Sequence, residues 1–182
     1  MNIYDFKVQN IKGEEVPLKT YQGKILLVVN TATECGFTPQ YEDLQGIYDV
    51  FKDKGLEILD FPCDQFGHQA PGTNEQIATF CTARFGVTFP QFAKIEVNGA
   101  NEHPLYTYLK HEQPFQGFDL SDKRAKFMHQ MLLKNDKDYA LKPDIKWNFT
   151  KFLVDRQGNI IRRFEPTESM DSVALAIKDL IK

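Results

Sequence analysis

At residues 28–39 the chain reads Val28-Val29-Asn30-Thr31-Ala32-Thr33-Glu34-Cys35-Gly36-Phe37-Thr38-Pro39. The apolar run from Ile25 to Val29 predicts a strand that is buried on both faces, as in a parallel sheet. After this stretch, apolar residues recur at helical spacing, and Pro39 suits the first turn of a helix. Cys35 is therefore expected where a strand meets a helix N-terminus, whose partial positive charge favours a thiolate. A reactive cysteine and a small buried apolar residue both fit this position.

Composition limits the class of protein. With 182 residues, 42% of them hydrophobic, the chain is long enough for one core and short for two, so we expect a single domain over residues 1–182. With a net charge of −3, the chain as a whole would not attract the negatively charged backbone of a nucleic acid, so we expect no nucleic-acid partner. No apolar run approaches the ~20 residues that span a bilayer, so we expect no membrane insertion. Three cysteines and no visible signal peptide favour a reducing compartment, most simply the cytoplasm.

The order of predicted elements indicates the fold. Residues 3–22 suggest a hairpin, and residues 24–32, 39–54 and 56–61 form a strand-helix-strand unit. A capping box at Thr73 and Gln76 begins a second helix, and residues 89–97 contain another strand. An antiparallel hairpin over 147–154 and 160–164 precedes a final helix from Met170. Residues 111–146 look like an insertion with a surface helix. The sequence therefore predicts a thioredoxin-like α/β fold, with a central mixed sheet flanked by helices.

The cysteine pattern narrows the chemistry of such a fold. Disulfide oxidoreductases keep two cysteines in one Cys-x-x-Cys turn, whereas here Thr38 stands at the second position. A cysteine alone at this site suits attack on an external electrophile, such as a peroxide, better than direct disulfide exchange.

Three segments together resemble the glutathione peroxidase family. The first runs from Asn30 to Tyr41 around the cysteine. The other two read Phe61-Pro62-Cys63-Asp64-Gln65-Phe66-Gly67-His68-Gln69-Ala70-Pro71-Gly72-Thr73-Asn74-Glu75 and Lys146-Trp147-Asn148-Phe149-Thr150-Lys151-Phe152-Leu153-Val154. The resemblance implies a single peroxidase domain in which Cys35 is the peroxidatic residue. It also implies that Gln69, Trp147 and Asn148 complete a catalytic tetrad with Cys35.

Physical chemistry agrees with this tetrad, although each residue has an alternative role. Attack on an O–O bond spreads negative charge over sulfur and the leaving oxygen, which neutral N–H donors stabilise. Yet a lone tryptophan is often a core anchor, and Asn148 could belong to an ordinary turn. Gln69 competes with Gln65, and only the resemblance chooses between them.

Two residues of the second segment depart from the family pattern. Asp64 stands where asparagine is usual, and Ala70 replaces the usual glutamate. A carboxylate that pointed at the sulfur would oppose a thiolate. We expect Asp64 to face the backbone of its own loop, as in an Asx turn.

The second candidate cysteine is Cys81. Its setting, Phe80-Cys81-Thr82-Ala83-Arg84-Phe85, resembles the branch of the family whose resolving cysteine lies on this helix. The resemblance implies an internal disulfide with Cys35 that thioredoxin reduces. The position of Cys81 also fits a buried core residue. A disulfide requires Cα atoms within about 7 Å, which a cysteine on a helix and one at a strand end are not expected to satisfy at rest. We therefore expect the Cys81 helix to unwind locally before the disulfide forms. Cys63 is expected to be structural, with a resolving role as the alternative.

Several functions remain open on the sequence. The leading one is a thiol peroxidase for hydrogen peroxide or organic hydroperoxides, with thioredoxin as reductant. A second is a glutathione-dependent peroxidase that uses Cys35 alone, and a third is a peroxide sensor that passes a disulfide to a partner protein. A catalytically inactive interaction protein fits least, because all four tetrad positions are occupied. The histidines show no metal-ligand spacing, and we expect neither a metal nor another cofactor.

Overall fold

The structure is a computed structural model that describes residues 1–182. Its six strands are β1 (Lys7–Gln9), β2 (Glu15–Pro17), β3 (Ile25–Thr31), β4 (Leu56–Pro62), β5 (Lys151–Val154) and β6 (Ile160–Phe164). Its five α-helices are α1 (Gln40–Phe51), α2 (Asn74–Phe85), α3 (Pro104–Glu112), α4 (Lys123–Asn135) and α5 (Met170–Ile181). The strands β1 and β2 form the predicted N-terminal hairpin, and the other four form one sheet.

Strand β3 lies inside the sheet, whose order is β4-β3-β5-β6. It pairs in parallel with β4, with Ile25 opposite Leu56, and antiparallel with β5, with Val29 opposite Lys151. Strand β6 pairs antiparallel with β5. The predicted mixed sheet, strand-helix-strand unit and antiparallel hairpin are therefore confirmed. Every residue of β3 is buried, as its unbroken apolar run predicts.

The sheet separates two hydrophobic cores because successive side chains of a strand point to opposite faces. Leu27 and Val29 belong to a core with α1, α2 and α5, whereas Leu26 and Val28 face α3 and the N-terminal arm. Cys35 lies in the first core. Truncating a fully buried leucine such as Leu27 to alanine would cost about 2–5 kcal/mol. A stable sheet thus supports the end of β3, where the candidate site begins.

The strand predicted within residues 89–97 is wrong. This segment makes only isolated bridges, between Phe92 and Asn10 and between Gln91 and Asp60. Pro90 accepts a hydrogen bond from the Asp60 amide but has no N–H to donate, so it cannot continue a ladder. The segment therefore lies beside β4 without joining the sheet.

Residues 111–146 carry a surface helix, as predicted. Only Ala125 and Met128 of α4 are buried, whereas Phe127 is 69% exposed. Asp122 caps the helix by accepting hydrogen bonds from the Arg124 and Ala125 amides. Across the whole fold, no helix combines the length and apolar character that crossing a membrane would need.

Candidate active site

Cys35 lies in a tight turn between β3 and α1. The Thr38 hydroxyl donates to the Ala32 carbonyl at 2.8 Å and accepts from the Cys35 amide at 2.9 Å. The Thr38 amide in turn donates to the Cys35 carbonyl at 3.0 Å. Thr38 therefore holds both ends of the turn, and it occupies the position of the second cysteine in a Cys-x-x-Cys motif. The Cys35 residue as a whole is 6% exposed.

The Cys35 sulfur accepts a hydrogen bond from the Phe37 amide at 3.4 Å. The helix begins later than the sequence predicts, at Gln40 with Pro39 as its N-cap. The amide that contacts the sulfur therefore precedes the helix and belongs to the turn. The sulfur therefore receives its hydrogen bond from the turn and not from the helix terminus that the sequence suggested.

Gln69 is brought to the cysteine by its backbone. The Glu34 amide, one residue before Cys35, donates to the Gln69 carbonyl at 2.8 Å. Gln65 has a different role, because its Oε1 atom accepts from the Val97 and Asn98 amides at 2.7 and 3.1 Å. The structure thus separates the two glutamines that the sequence alone could not rank.

Asp64 faces its own loop, as expected from the sequence. Its Oδ1 atom accepts from the Ala70 amide at 3.0 Å, and its Oδ2 atom lies 3.4 Å from His68 Nδ1. The contact joins residues that are six positions apart, which is wider than the two-position span of the expected Asx turn. His68 has a φ angle of 51°, which is uncommon for a residue with a Cβ atom. The carboxylate therefore makes its contacts within the loop that carries Gln69.

Trp147 and Asn148 lie on the loop before β5. Asn148 is fully buried, and its Nδ2 atom donates to Gln69 Oε1 at 3.3 Å, while its Oδ1 atom has no hydrogen-bond partner. Phe149 follows with a φ angle of 67°, and its amide donates to the Asn30 carbonyl at 2.6 Å. The Trp147 ring is partly buried, with its centroid 5.6 Å from that of Phe66.

A groove of about 660 Å³ joins these elements. Gly36 and Phe37, which directly follow Cys35, line it together with Gln69 and Trp147. Helix α4 forms the opposite wall through Lys123, Arg124, Phe127, Met128 and Met131. The groove is open and mostly apolar, and its size is typical of small-molecule sites. Three of the four predicted tetrad positions therefore lie at or directly beside one groove, and Asn148 is hydrogen bonded to the groove residue Gln69.

Cys81 is fully buried on α2, in the same core as Cys35. Both thiols are free. Burial, and then the charge of Asp60, raise the pKa of the Cys81 thiol to about 12. Asp60 is itself buried and accepts hydrogen bonds from the Thr31 and Tyr41 hydroxyls at 2.5 and 3.0 Å. The thiol of Cys81 is thus held protonated, and therefore a weak nucleophile, while α2 is folded.

Cys63 lies in the other core, across the sheet from Cys35 and Cys81. Burial raises the pKa of its thiol to about 11. Its sulfur lies 3.6 Å from Gln65 Oε1. This placement agrees with a structural role for Cys63.

Two residues near the site had no role in the sequence analysis. Asn30 donates through Nδ2 to the Trp147 carbonyl at 3.3 Å, and Lys151 is fully buried in β5. The sequence could have indicated both, because each is a polar or charged residue within an apolar strand. Charged residues are rarely buried unless they have a partner. No group of three or more His, Cys, Asp or Glu side chains is placed to hold a metal ion.

The fold is that of the thioredoxin class. A thioredoxin-family thiol:disulfide interchange protein from Chlorobium tepidum superposes with a TM-score of 0.59 at 13% identity, covering 97% of this chain and 93% of that one. At this identity the likeness concerns the fold alone.

Sequence comparison identifies the family within this class. The profile described as glutathione peroxidase matches residues 3–110. A glutathione peroxidase of Lactococcus lactis subsp. cremoris is 46% identical over 181 residues, covering all of both chains. A Synechocystis protein named hydroperoxy fatty acid reductase gpx1 is 44% identical, covering 98% of this chain and 95% of its own. The structure of Trypanosoma cruzi GPX1 superposes with a TM-score of 0.71 at 32% identity, covering 100% and 97% of the two chains.

The chain belongs to the glutathione peroxidase family. It is a peroxidase, an oxidoreductase that reduces hydroperoxides.

Proposed function

We propose that the protein is a thiol peroxidase in which Cys35 is oxidised by the hydroperoxide and Cys81 resolves the product. The observation that carries the proposal is the groove shared by Gly36, Phe37, Gln69 and Trp147, with Asn148 hydrogen bonded to Gln69. This arrangement brings the Cys35 turn together with three residues that carry neutral N–H donors. Such donors stabilise the charge that develops when an O–O bond breaks.

In the first step the Cys35 thiolate attacks the terminal oxygen of the hydroperoxide. An S–O bond forms, the O–O bond breaks, and the sulfur is oxidised by two electrons to a sulfenic acid. The leaving oxygen takes up the proton that the thiol released and departs as water or an alcohol. Trp147, Asn148 and Gln69 are assigned to stabilise the leaving oxygen.

In the second step the Cys81 sulfur attacks the sulfenic sulfur of Cys35. An S–S bond forms, the S–O bond breaks, and the oxygen leaves as water. Cys81 must first leave the buried position in which its thiol stays protonated. Local unwinding of α2 supplies this motion. Because Cys81 shares a core with Cys35, it suits this role better than Cys63.

Thioredoxin is the reductant that this cycle favours, because its dithiol can reduce an internal disulfide by exchange. We place this exchange in the cytoplasm, where thiols are kept reduced. The alternative is reduction by glutathione, which would not need Cys81. A sensor that passes its disulfide to a partner would use the same two cysteines but would be consumed in proportion to peroxide.

Organic hydroperoxides are the substrates that the groove favours over hydrogen peroxide. Phe127 and Met131 give it an apolar wall, and Lys123 lies at the same wall. The relative named hydroperoxy fatty acid reductase supports this choice. A hydrocarbon chain could bury against these side chains, whereas hydrogen peroxide would not use them.

A peroxide-consumption assay tests the cycle. The protein is supplied with thioredoxin and its reductase in one arm, and with glutathione and its reductase in the other. We expect multiple turnovers with thioredoxin and few with glutathione. Cys81→Ser should lose thioredoxin-linked turnover but still consume one equivalent of peroxide, whereas Cys63→Ser should behave like the wild type. Unimpaired thioredoxin cycling of Cys81→Ser would exclude the resolving role, and consumption in proportion to protein alone would favour the sensor.

A further inference from the structure

Lys151 is an unusual residue for the centre of a sheet. It lies in β5 opposite Val29, and its side chain is fully buried. Its Nζ atom donates to Gln40 Oε1 and to the Phe149 carbonyl, each at 2.7 Å. Both partners are neutral oxygens. Burying an ammonium group without a partner carboxylate is costly, and the cost lowers the pKa of Lys151 to about 7.

The two partners of Lys151 belong to the two halves of the site. Gln40 is the first residue of α1, the helix that follows the Cys35 turn. Phe149 directly follows Asn148 and has the left-handed φ angle of 67°. Gln40 also donates through Nε2 to the Pro166 carbonyl at 2.8 Å, which fixes its amide so that Oε1 is the atom presented to Lys151. One ammonium group thus connects the cysteine side of the site to the loop that carries Trp147 and Asn148.

We infer that Lys151 is a positioning residue for peroxide reduction, which clamps the loop of Trp147 and Asn148 to the start of α1. This inference rests on the proposed function. A phenylalanine in the left-handed region costs roughly 1 kcal/mol or more, and such a conformation persists only where its surroundings impose it. The Lys151 ammonium holds the Phe149 carbonyl and the Asn30 carbonyl holds the Phe149 amide, so both backbone polar groups of Phe149 are fixed.

The clamp determines where the donors stand relative to the sulfur. A misplacement of about 1 Å in a catalytic constellation can cost 10²-fold in rate. Peroxide reduction needs the donors in place because charge develops on the leaving oxygen. Alkylation of Cys35 by iodoacetamide needs only the thiolate, since no oxyanion leaves. The two reactions of one sulfur therefore separate a positioning role from a general structural one.

The experiment compares these two reactions in Lys151→Met, which has nearly the same length but no donor. We measure single-turnover consumption of hydrogen peroxide by the reduced protein and alkylation of Cys35 followed by mass spectrometry. We expect oxidation to slow at least ~10-fold while alkylation changes less than ~2-fold. Gln40→Leu, which removes only the α1 side of the clamp, should show the same selective loss to a smaller degree.

A matched control is Lys110→Met. Lys110 is also buried, but it lies on α3 across the sheet and is paired with Glu102. We expect this variant to lower stability and to leave both rates of Cys35 unchanged. If Lys151→Met does not fold, Gln40→Leu provides the decisive comparison. A Lys151→Ala protein whose oxidation is restored by propylamine, and not by propanol, would support the clamp further.

Three results would overturn the inference. These are unchanged oxidation in the folded Lys151→Met and Gln40→Leu proteins, equal losses in oxidation and alkylation, and an oxidation rate in Lys110→Met that falls as far as in Lys151→Met. Failure of the proposed function gives a different result: the wild type would not consume peroxide, or Cys35→Ser would still consume it. Either result would reject the proposed function and, with it, the positioning role of Lys151.

Discussion

The side-chain amide of Asn148 donates to Oε1 of Gln69 at 3.3 Å, joining two loops that are 79 positions apart in the sequence. This contact uses the acceptor of Gln69 and leaves its Nε2 donor available to the groove, which Gln69 lines. It also ties the fully buried side chain of Asn148 to a residue that lines the groove. The two side chains therefore form one unit, and replacing either one should disturb the other.

Gln69→Ala and Gln65→Ala form a matched pair. We expect Gln69→Ala to slow oxidation of Cys35 by peroxide at least ~10-fold, because a donor at the site is lost. Gln65→Ala should lower the free energy of unfolding by about 1–2 kcal/mol, because its oxygen accepts from the Val97 and Asn98 amides. Its oxidation rate should stay near that of the wild type. Rapid-quench peroxide assays and urea unfolding measure the two effects, and the reverse pattern would assign the site to Gln65.

Trp147→Phe removes an N–H donor and keeps most of the aromatic surface. We expect oxidation of Cys35 to slow by at least ~10-fold while the fold is retained. Because Trp147 is the only tryptophan, the variant must be followed by peroxide consumption and circular dichroism instead of fluorescence. An oxidation rate equal to that of the wild type would limit Trp147 to packing against Phe66.

Gly67→Ala tests how closely the loop backbone approaches Gln69. Gly67 has a φ angle of 68°, and a Cβ atom there would lie 3.3 Å from Gln69 Nε2. We expect a loss of stability of about 1 kcal/mol from the left-handed backbone, together with slower oxidation. Gly99→Ala is the control, because Gly99 has a φ angle of 89° but open space around its Cβ position. It should lose stability without a change in rate; equal rates for both alanine variants would contradict the expected displacement of Gln69.

Asp60 should make stability depend on pH below neutrality. Burial raises the pKa of its carboxyl group to about 6 in the folded protein, so the folded state holds the proton more tightly than the unfolded chain. Its contribution to stability is therefore full below about pH 4, and it falls as the pH rises towards 6, by up to about 1.4 kcal/mol per pH unit. Asp60→Asn should remove this slope. Urea unfolding of both proteins between pH 4 and 7 measures the difference, and parallel curves would contradict it.

Phe127→Ala tests the groove wall on α4. We expect the rate with a long-chain hydroperoxide to fall several-fold, since a side chain buried by a bound chain is worth about 1.5–3 kcal/mol at most. The rate with hydrogen peroxide should not change. The control is Leu175→Ala, another exposed apolar side chain, on α5 and outside the groove. Equal effects on both peroxides in Phe127→Ala would remove α4 from substrate selection.

Local patterns in the sequence were sufficient for most of the fold. The unbroken apolar run before Cys35 predicts the buried strand β3, and the Thr73–Gln76 capping box predicts the start of α2, where both capping hydrogen bonds are present. The strand predicted in residues 89–97 failed because apolar residues there pack on β4 without completing a ladder. Such a segment depends on tertiary contacts, which no local pattern records.

The candidate site was only partly accessible from the sequence. Resemblance selected Gln69 over Gln65, and the structure adds that Gln69 contacts Asn148 whereas Gln65 accepts a hydrogen bond from the Asn98 amide. The role of Lys151 could not be read from its position, because its partners lie on α1 and on the preceding loop. Long-range hydrogen bonds of this kind leave only a weak signature, a charged residue where an apolar one would be ordinary.

Helix α4 is one contiguous segment whose few buried residues leave most of its surface in water. It contributes a wall to the groove but no strand to the sheet and no partner to the Cys35 sulfur. The wall of the groove can therefore change in sequence without altering the sheet or the Cys35 turn. Chimaeras that exchange residues 113–144 between related peroxidases would be a direct route to new selectivity at an unaltered thiol.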